Sequence, residues 1–234
     1  MKRIICLCCL LPLLLFSGCN NTAGYAQTPE TEKALQTYYA AVKESVAQTE
    51  GTVVIDIRMK DTVVSKKDST EQYEYSYSVS DGKESFDYLC KDADGKLISH
   101  VATNEEGKVI DLLTGEETSD FNSYFNHQKN PISTLQLFRM DSNYKVQDAT
   151  ISDIKMEQTG EDTVITVSFH PDKLTGLSIK NTNGLNRTIT SHKRIYTIRE
   201  GKIAKIEIYD RENAHYQNET GTIDTDTIVE VSYP

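Results

Sequence analysis

A short motif returns four times along the chain: an acidic residue, a glycine and a lysine. Asp81-Gly82-Lys83, Asp94-Gly95-Lys96, Glu106-Gly107-Lys108 and Glu200-Gly201-Lys202 each stand between runs of β-type sequence. Glycine takes the positive φ of a tight hairpin, and the acid before it tolerates the same region. The first three copies lie 13 and 12 residues apart, the length of a strand, a turn and the next strand. The chain is therefore expected to run as an antiparallel meander.

The runs between the turns agree. Val53, Ile55, Ile57 and Met59 alternate with Val54, Asp56, Arg58 and Lys60. Tyr73, Tyr75, Tyr77 and Val79 alternate with Glu74, Ser76 and Ser78, and Phe86, Tyr88 and Cys90 continue the theme. One apolar and one polar face is the pattern of a half-buried antiparallel strand. Strands are expected near 53–60, 71–80, 84–91, 96–103, 108–113, 147–157, 162–169, 187–198, 202–210 and 223–233, and a sheet of about ten strands curls or closes.

Two stretches break the period of two. Thr28-Pro29 reads as a helix start, with Thr as N-cap, Pro as first helical residue, and Glu30 and Glu32 in the first turn. Leu35, Tyr38, Tyr39, Val42 and Val46 then recur at helical spacing, and Gly51 reads as the C-cap of a helix over 29–49. Residues 118–141 carry Phe121, Tyr124, Phe125, Leu135 and Phe138 around Asn130-Pro131, another helix start. The expected class is α+β: a large curved antiparallel sheet with an N-terminal helix and a central helical insertion on one face.

The front of the chain sets location. Lys2 and Arg3 precede thirteen apolar residues, Ile4 to Phe16, and then Ser17-Gly18-Cys19. Charged, apolar and small-residue parts in that order make a secretory signal. The apolar run is shorter than the ~20 residues of a spanning helix. Small residues directly before Cys19 read as a lipoprotein box, with residues 1–18 removed, Cys19 lipidated, 19–28 a tether and 29–234 one domain. Phe16 stands where Leu is usual in such a box.

The chain carries 25 Lys and Arg against 35 Asp and Glu, a net charge of −10, and is two units more negative without Lys2 and Arg3. Nucleic acid and anionic headgroups both favour a basic face, so neither is an expected partner, and membrane attachment falls to the lipid on Cys19. Four of the five cysteines are Cys6, Cys8, Cys9 and Cys19. Cys90 alone remains in the domain, which leaves no intramolecular disulfide. In alternation with Phe86 and Tyr88 it reads as a small buried hydrophobe.

No catalytic or cofactor motif stands out, and the expectation is a non-enzyme without cofactor or metal. His100, His127, His170, His192 and His215 share no metal spacing and each reads as a surface or edge residue. Cys90-Lys91-Asp92-Ala93-Asp94-Gly95 lacks the first carboxylate and the last Glu of a calcium loop. Asp224 and Asp226 alternate on one strand face and read as solvated. The aromatic residues say more: thirteen Tyr and no Trp. Tyr73, Tyr75, Tyr77, Phe86 and Tyr88 project from neighbouring strands. On an inner face they form an apolar wall with polar tips, suited to an amphipathic ligand. Alternatively they pack beneath the helix.

A lipoprotein box, an N-terminal amphipathic helix, a large antiparallel sheet and a central helical insertion together resemble the LolA/LolB and LppX/LprG group of bacterial lipoprotein and lipid carriers. The resemblance covers most of residues 29–233 and is architectural, without a diagnostic motif. It implies a half-barrel wrapped around helices, with acyl chains in the cavity and the insertion, with Leu135 and Phe138, as its lid. The implied function is an anchored extracytoplasmic carrier or sensor of a lipid or other amphipathic molecule. The location is the outer leaflet of a Gram-positive membrane or a Gram-negative outer membrane. The alternative is a non-enzymatic module with a filled core that docks an envelope protein partner.

Overall fold

The structure is a computed structural model and describes residues 23–80, 83–117, 148–174 and 184–234. The leader, Cys19, the turn at 81–82 and the expected insertion at 118–141, with Leu135 and Phe138, lie outside the described residues.

Ten strands form a single antiparallel open sheet, with one α-helix among the described residues. In chain order they are α1 (Pro29–Val46), β1 (Glu50–Asp61), β2 (Asp68–Ser80), β3 (Lys83–Lys91), β4 (Leu97–Thr103), β5 (Val109–Asp111), β6 (Ile151–Thr159), β7 (Asp162–Phe169), β8 (Leu185–Arg199), β9 (Lys202–Tyr216) and β10 (Glu219–Ser232). The spatial order is β5-β4-β3-β2-β1-β10-β9-β8-β7-β6. Two meanders therefore run outward from a central seam. The seam is the β1–β10 pairing, with Val53 opposite Val231 and Ile55 opposite Val229. The expected half-barrel class is the one observed.

The turns form as the motif demands, by an additional route. At Asp94-Gly95, Gly95 has φ of 75°, and the Asp92 carboxylate accepts from the Asp94 and Lys96 N–H groups at 3.0 and 2.9 Å. At Glu106-Gly107, Asn104 repeats this arrangement with Glu106 and Lys108. The residue two before the acid thus closes each turn with its own side chain. Asp92 is occupied in this way, in keeping with a hairpin rather than a calcium loop. Between β8 and β9 both Glu200 and Gly201 have positive φ, as a two-residue type I′ loop requires.

Helix α1 starts where expected. Thr28 caps it, and Thr31 completes a reciprocal capping box. It ends earlier than expected, at Val46 with Ala47 as C-cap. Gly51 belongs to β1 instead: a Cβ there would meet the Tyr77 ring and the Ser232 carbonyl, both at 2.9 Å. Glycine is kept for close approach within the sheet. The buried stripe also shifts, to Ala34, Tyr38, Ala41 and Ser45, with Leu35, Val42 and Val46 partly buried beside it. Tyr39 is 58% exposed. Small residues at 34 and 41 let the helix backbone approach the sheet, where it lies against β6 and β9. Ser45 Oγ accepts from the Ile203 N–H at 2.8 Å and donates to the Ala41 carbonyl.

The stretch read as a tether is seated on the domain from Ala23 onward. Tyr25 is buried in the main core, and His170 Nε2 is 3.0 Å from the Gly24 carbonyl oxygen. Gly24 packs so closely that a Cβ would run into the carbonyl oxygens of Ala149 and Ile151.

Asp61 closes the β1–β2 connection. Its carboxylate accepts from the N–H groups of Val63, Val64 and Ser65 at 2.8, 2.9 and 2.7 Å. Burial raises its pKa, but these donors outweigh burial and hold it down at about 2, against an ordinary 3.8. A depressed folded-state pKa gives stability that is present above the unfolded value and lost as pH falls through the folded one. Asp61 is thus expected to contribute about 2 kcal/mol above pH ~4, fading towards pH ~2. Urea midpoints at pH 6 and pH 2.5 check this. Asp61→Asn should lower the pH 6 midpoint and flatten the difference; an equal acid loss in wild type and variant would refute the assignment.

Candidate functional site: the inner face of the sheet

Partners across an antiparallel ladder share a face, so the register identifies the residues on the helix side. Tyr75 is opposite both Val53 and Tyr88, and Val53 is opposite Val231. Tyr77 pairs with Phe86, and Tyr73 with Cys90. All five described aromatic residues singled out from sequence are therefore neighbours on the inner face. Tyr75 and Phe86 have ring centroids 6.1 Å apart, Tyr73 and Tyr88 6.2 Å, and Tyr75 and Tyr77 6.2 Å, all stacked. Tyr75, Tyr77 and Tyr88 are buried, while Tyr73 and Phe86 are half-buried.

The phenols here resist ionisation. Burial, then the Tyr233 phenol and the Glu50 carboxylate, push Tyr77 up to about 12. Burial also raises Tyr73 and Tyr88, with a short hydrogen bond from the Tyr73 hydroxyl to Glu71 adding to the former. Cys90 is buried between these rings and its thiol is raised by desolvation; it is the small hydrophobe that was expected. The Tyr77 hydroxyl is buried with no hydrogen-bond partner among the described residues.

A second zone on the same face was not expected. On β8 and β9 the ladder pairs Tyr196 with Ile206, Arg194 with Ile208, His192 with Asp210 and Ile189 with Glu212. Past Tyr196 the inner-facing positions turn from apolar to charged. His192 and Arg194 are each 1% exposed. Arg194 Nε donates to His192 Nε2 at 3.2 Å. That nitrogen must be unprotonated to accept, so the proton sits on Nδ1 and is donated to the Asp210 carboxylate. The Phe169 ring packs on the imidazole at 4.6 Å. One step further, Arg187 Nε donates to the Glu212 carboxylate. His192 is thus no surface residue. Strand phase carries the signal: counting back in twos from Ile198 and Tyr196 puts Arg194 and His192 on the buried face.

The outer face carries polar pairs. Asp226 lies 2.6 Å from Arg211, and Gln72 donates to Asp56. No group of three His, Cys, Asp or Glu side chains suits a metal ion among the described residues. A groove of about 380 Å³ lies between the start of α1 and β6. Glu30, Lys33, Lys155 and Glu157 line it with Ile154 and Met156. No helix among the described residues is long and apolar enough to cross a membrane.

No family model matches the chain, and no curated protein matches it. Among solved structures the chain is similar to LprF from Mycobacterium bovis, at 6% identity and a TM-score of 0.43, over 86% of this chain and 92% of that one. It is also similar to a LolA superfamily protein from Nitrosomonas europaea, at 9% identity and a TM-score of 0.25, over 85% and 91%. A third is an outer membrane lipoprotein-sorting protein domain from Vibrio parahaemolyticus, at 12% identity and a TM-score of 0.26, over 86% and 92%.

Proposed function

We propose that the protein is a membrane-anchored extracytoplasmic lipoprotein, with residues 29–234 as one domain. It holds a lipid or other amphipathic molecule against the inner face of the half-barrel, as carrier or sensor. The observation that supports this is the aromatic wall of β2 and β3. It stands on the meander away from β6 and β9, which carry α1, and two of its rings are only half-buried. Apolar ring faces with polar tips suit a ligand that is apolar along most of its length.

The seat of Ala23–Tyr25 bears on the same reading. If Cys19 carries the lipid, only Asn20 to Thr22 separate it from the folded domain. The four steps from Cys19 to Ala23 extend at most roughly 14 Å, so the end of the sheet that holds Gly24, Ile151 and His170 would face the bilayer. In this reading the protein sits on the outer leaflet of a Gram-positive membrane or on an outer membrane.

The test is mass spectrometry of an organic extract from the purified protein, together with uptake of a fluorescent fatty-acid analogue. Co-purifying lipid and saturable uptake are expected. Neither being found would leave the second reading, a non-enzymatic module with a filled core. Ile98, Leu112 and Leu113, about half exposed near the β4–β5 edge, favour that module, since an edge strand with exposed apolar side chains is a ready docking site for an envelope protein.

A further inference from the structure

Successive hairpins of an antiparallel sheet turn at opposite ends of its strands, so the register sorts exposed side chains between two rims. The connections that follow β1, β3, β5 and β9 share one rim with the end of β7 and the start of β6. Asp61 at the end of β1 stands opposite Ile223 near the start of β10, Lys91 opposite Leu97, and Phe169 opposite Ile151. On this rim Gly24 packs against the Ala149 and Ile151 carbonyls, and His170 holds its carbonyl oxygen. The chain from Cys19 therefore joins the domain here.

The same rim collects the exposed apolar side chains. Among the described residues the large ones are Tyr39, Val64, Ile98, Leu112 and Leu113. Tyr39 stands on α1, and the other four stand on the rim of the tether. Val64 follows β1, and Leu112 and Leu113 follow β5. Ile98 is the extra residue of a bulge at the start of β4, where Cys90 pairs with Ser99 and Lys91 with Leu97. The bulge takes its side chain out of the ladder. The turns of the opposite rim present Glu105, Glu106, Glu161 and Glu200 instead, all exposed.

The backbone under these apolar side chains is already satisfied. The Asp61 carboxylate accepts from the Val64 N–H at 2.9 Å, and the Asp111 carboxylate accepts from the Leu113 N–H at 2.8 Å. The Leu112 N–H donates to the His100 carbonyl at 2.8 Å. An N–H that keeps its partner inside the protein loses nothing when water is withdrawn. Two turns closed by aspartate thus hold apolar side chains outward without leaving hydrated donors behind them.

We propose that Val64, Ile98, Leu112 and Leu113 form a rim that rests in a zwitterionic lipid surface once Cys19 is anchored. The proposal rests on the anchored reading above and adds the side chains that touch the bilayer. A protein docked on the open edge of β5 would account for Leu112 and Leu113. It would not account for Val64, which has β3 and β4 between it and β5. The rim shared with the tether accounts for all four. The Asp61 and Asp111 carboxylates directly beneath keep the contact shallow, so it orients the domain and does not replace the lipid.

The experiment places the lipidated protein, purified from membranes, in phosphatidylcholine vesicles whose acyl chains carry a nitroxide near the headgroup. An environment-sensitive thiol probe is attached to Leu113→Cys, to Val64→Cys and, on the opposite rim, to Glu105→Cys. Cys90 is buried, and labelling of the wild type gives its background. The nitroxide is expected to quench the probes at 113 and 64 at least about twofold more than the probe at 105, as insertion to the headgroup boundary requires. Leu112→Ser together with Leu113→Ser should bring quenching at 64 down towards the value at 105. Both positions are solvated, so these serines leave the fold intact and show that the native side chains, not the probe, make the contact. Equal quenching at 64, 113 and 105, or quenching at 64 that survives the two serines, overturns the proposal in protein that co-sediments with the vesicles, and the anchor stands. Failure to co-sediment overturns both.

Discussion

Tyr38→Ala is expected to destabilise the protein by about 4 kcal/mol, the range for truncating a large buried aromatic side chain. Tyr38 is 1% exposed, and its ring lies 4.8 Å from that of Tyr196 on β8. The ring fixes the middle of α1 to the sheet, so its loss leaves a cavity at the interface that the buried Ala34 and Ala41 are too small to fill. For a protein of this size the melting temperature should fall by roughly 10 °C. The matched control is Tyr39→Ala. Tyr39 is the next residue along and is mostly solvated, so a change within about 0.5 kcal/mol is expected. Equal shifts for the two variants in thermal melts would show that the helix is not docked on this face.

That pair of tyrosines also marks what could be read in the sequence. Both fit a helical stripe with Leu35, Val42 and Val46, and apolar spacing alone admits either. The helix centres on Ala34, Tyr38, Ala41 and Ser45 instead, because close approach to β6 and β9 favours small side chains at the contact. Hydropathy counts Ala as weak and Ser as polar, so the true centre was invisible. The end of α1 was missed for a related reason. Gly51 follows the last helical turn as a C-cap would, yet it is needed for the Tyr77 ring packed on it from β2. Contacts between distant segments cannot be read from local spacing.

The sheet was far more legible. Strand alternation and the acid-glycine-lysine turns located all ten strands, since the turns at Gly95, Gly107 and Gly201 each depend on a positive φ, and the first two also on a local side chain, Asp92 or Asn104. The last three strands were placed too short. β9 continues to Tyr216 and β10 begins at Glu219, through stretches rich in Asn, His and Thr that resemble loop. The aromatic wall followed from the same alternation. The charged strip did not, because Arg194, His192, Asp210 and Glu212 read as solvent-facing wherever polarity decides the face. Only the phase inherited from Tyr196, Ile198, Ile206 and Ile208 places them inward.

Cys19→Ser is expected to produce the largest change in the protein's behaviour: near-complete loss from the membrane fraction, or retention of the unprocessed leader. Serine has no thiol to carry a thioether-linked lipid. No helix among the described residues is long and apolar enough to cross a membrane. A net charge of −10 also disfavours adhesion to anionic headgroups. A lipid-modified cysteine contributes about 0.8 kcal/mol per buried methylene, and stable attachment takes two chains or a second signal. Losing that single contribution therefore shifts the partition almost completely. Fractionation followed by immunoblotting reads both outcomes, a soluble mature band or a slower precursor. A companion variant separates anchoring from placement. A ten-residue Gly/Ser insertion after Thr22 should stay with the membrane while extending the roughly 14 Å reach between Cys19 and the seat at Ala23. If the short span matters for passing a ligand to or from the bilayer, the insertion should slow transfer of the fluorescent fatty-acid analogue to vesicles and leave its equilibrium binding unchanged. Unaltered fractionation and processing of Cys19→Ser would show that something other than this cysteine places the protein.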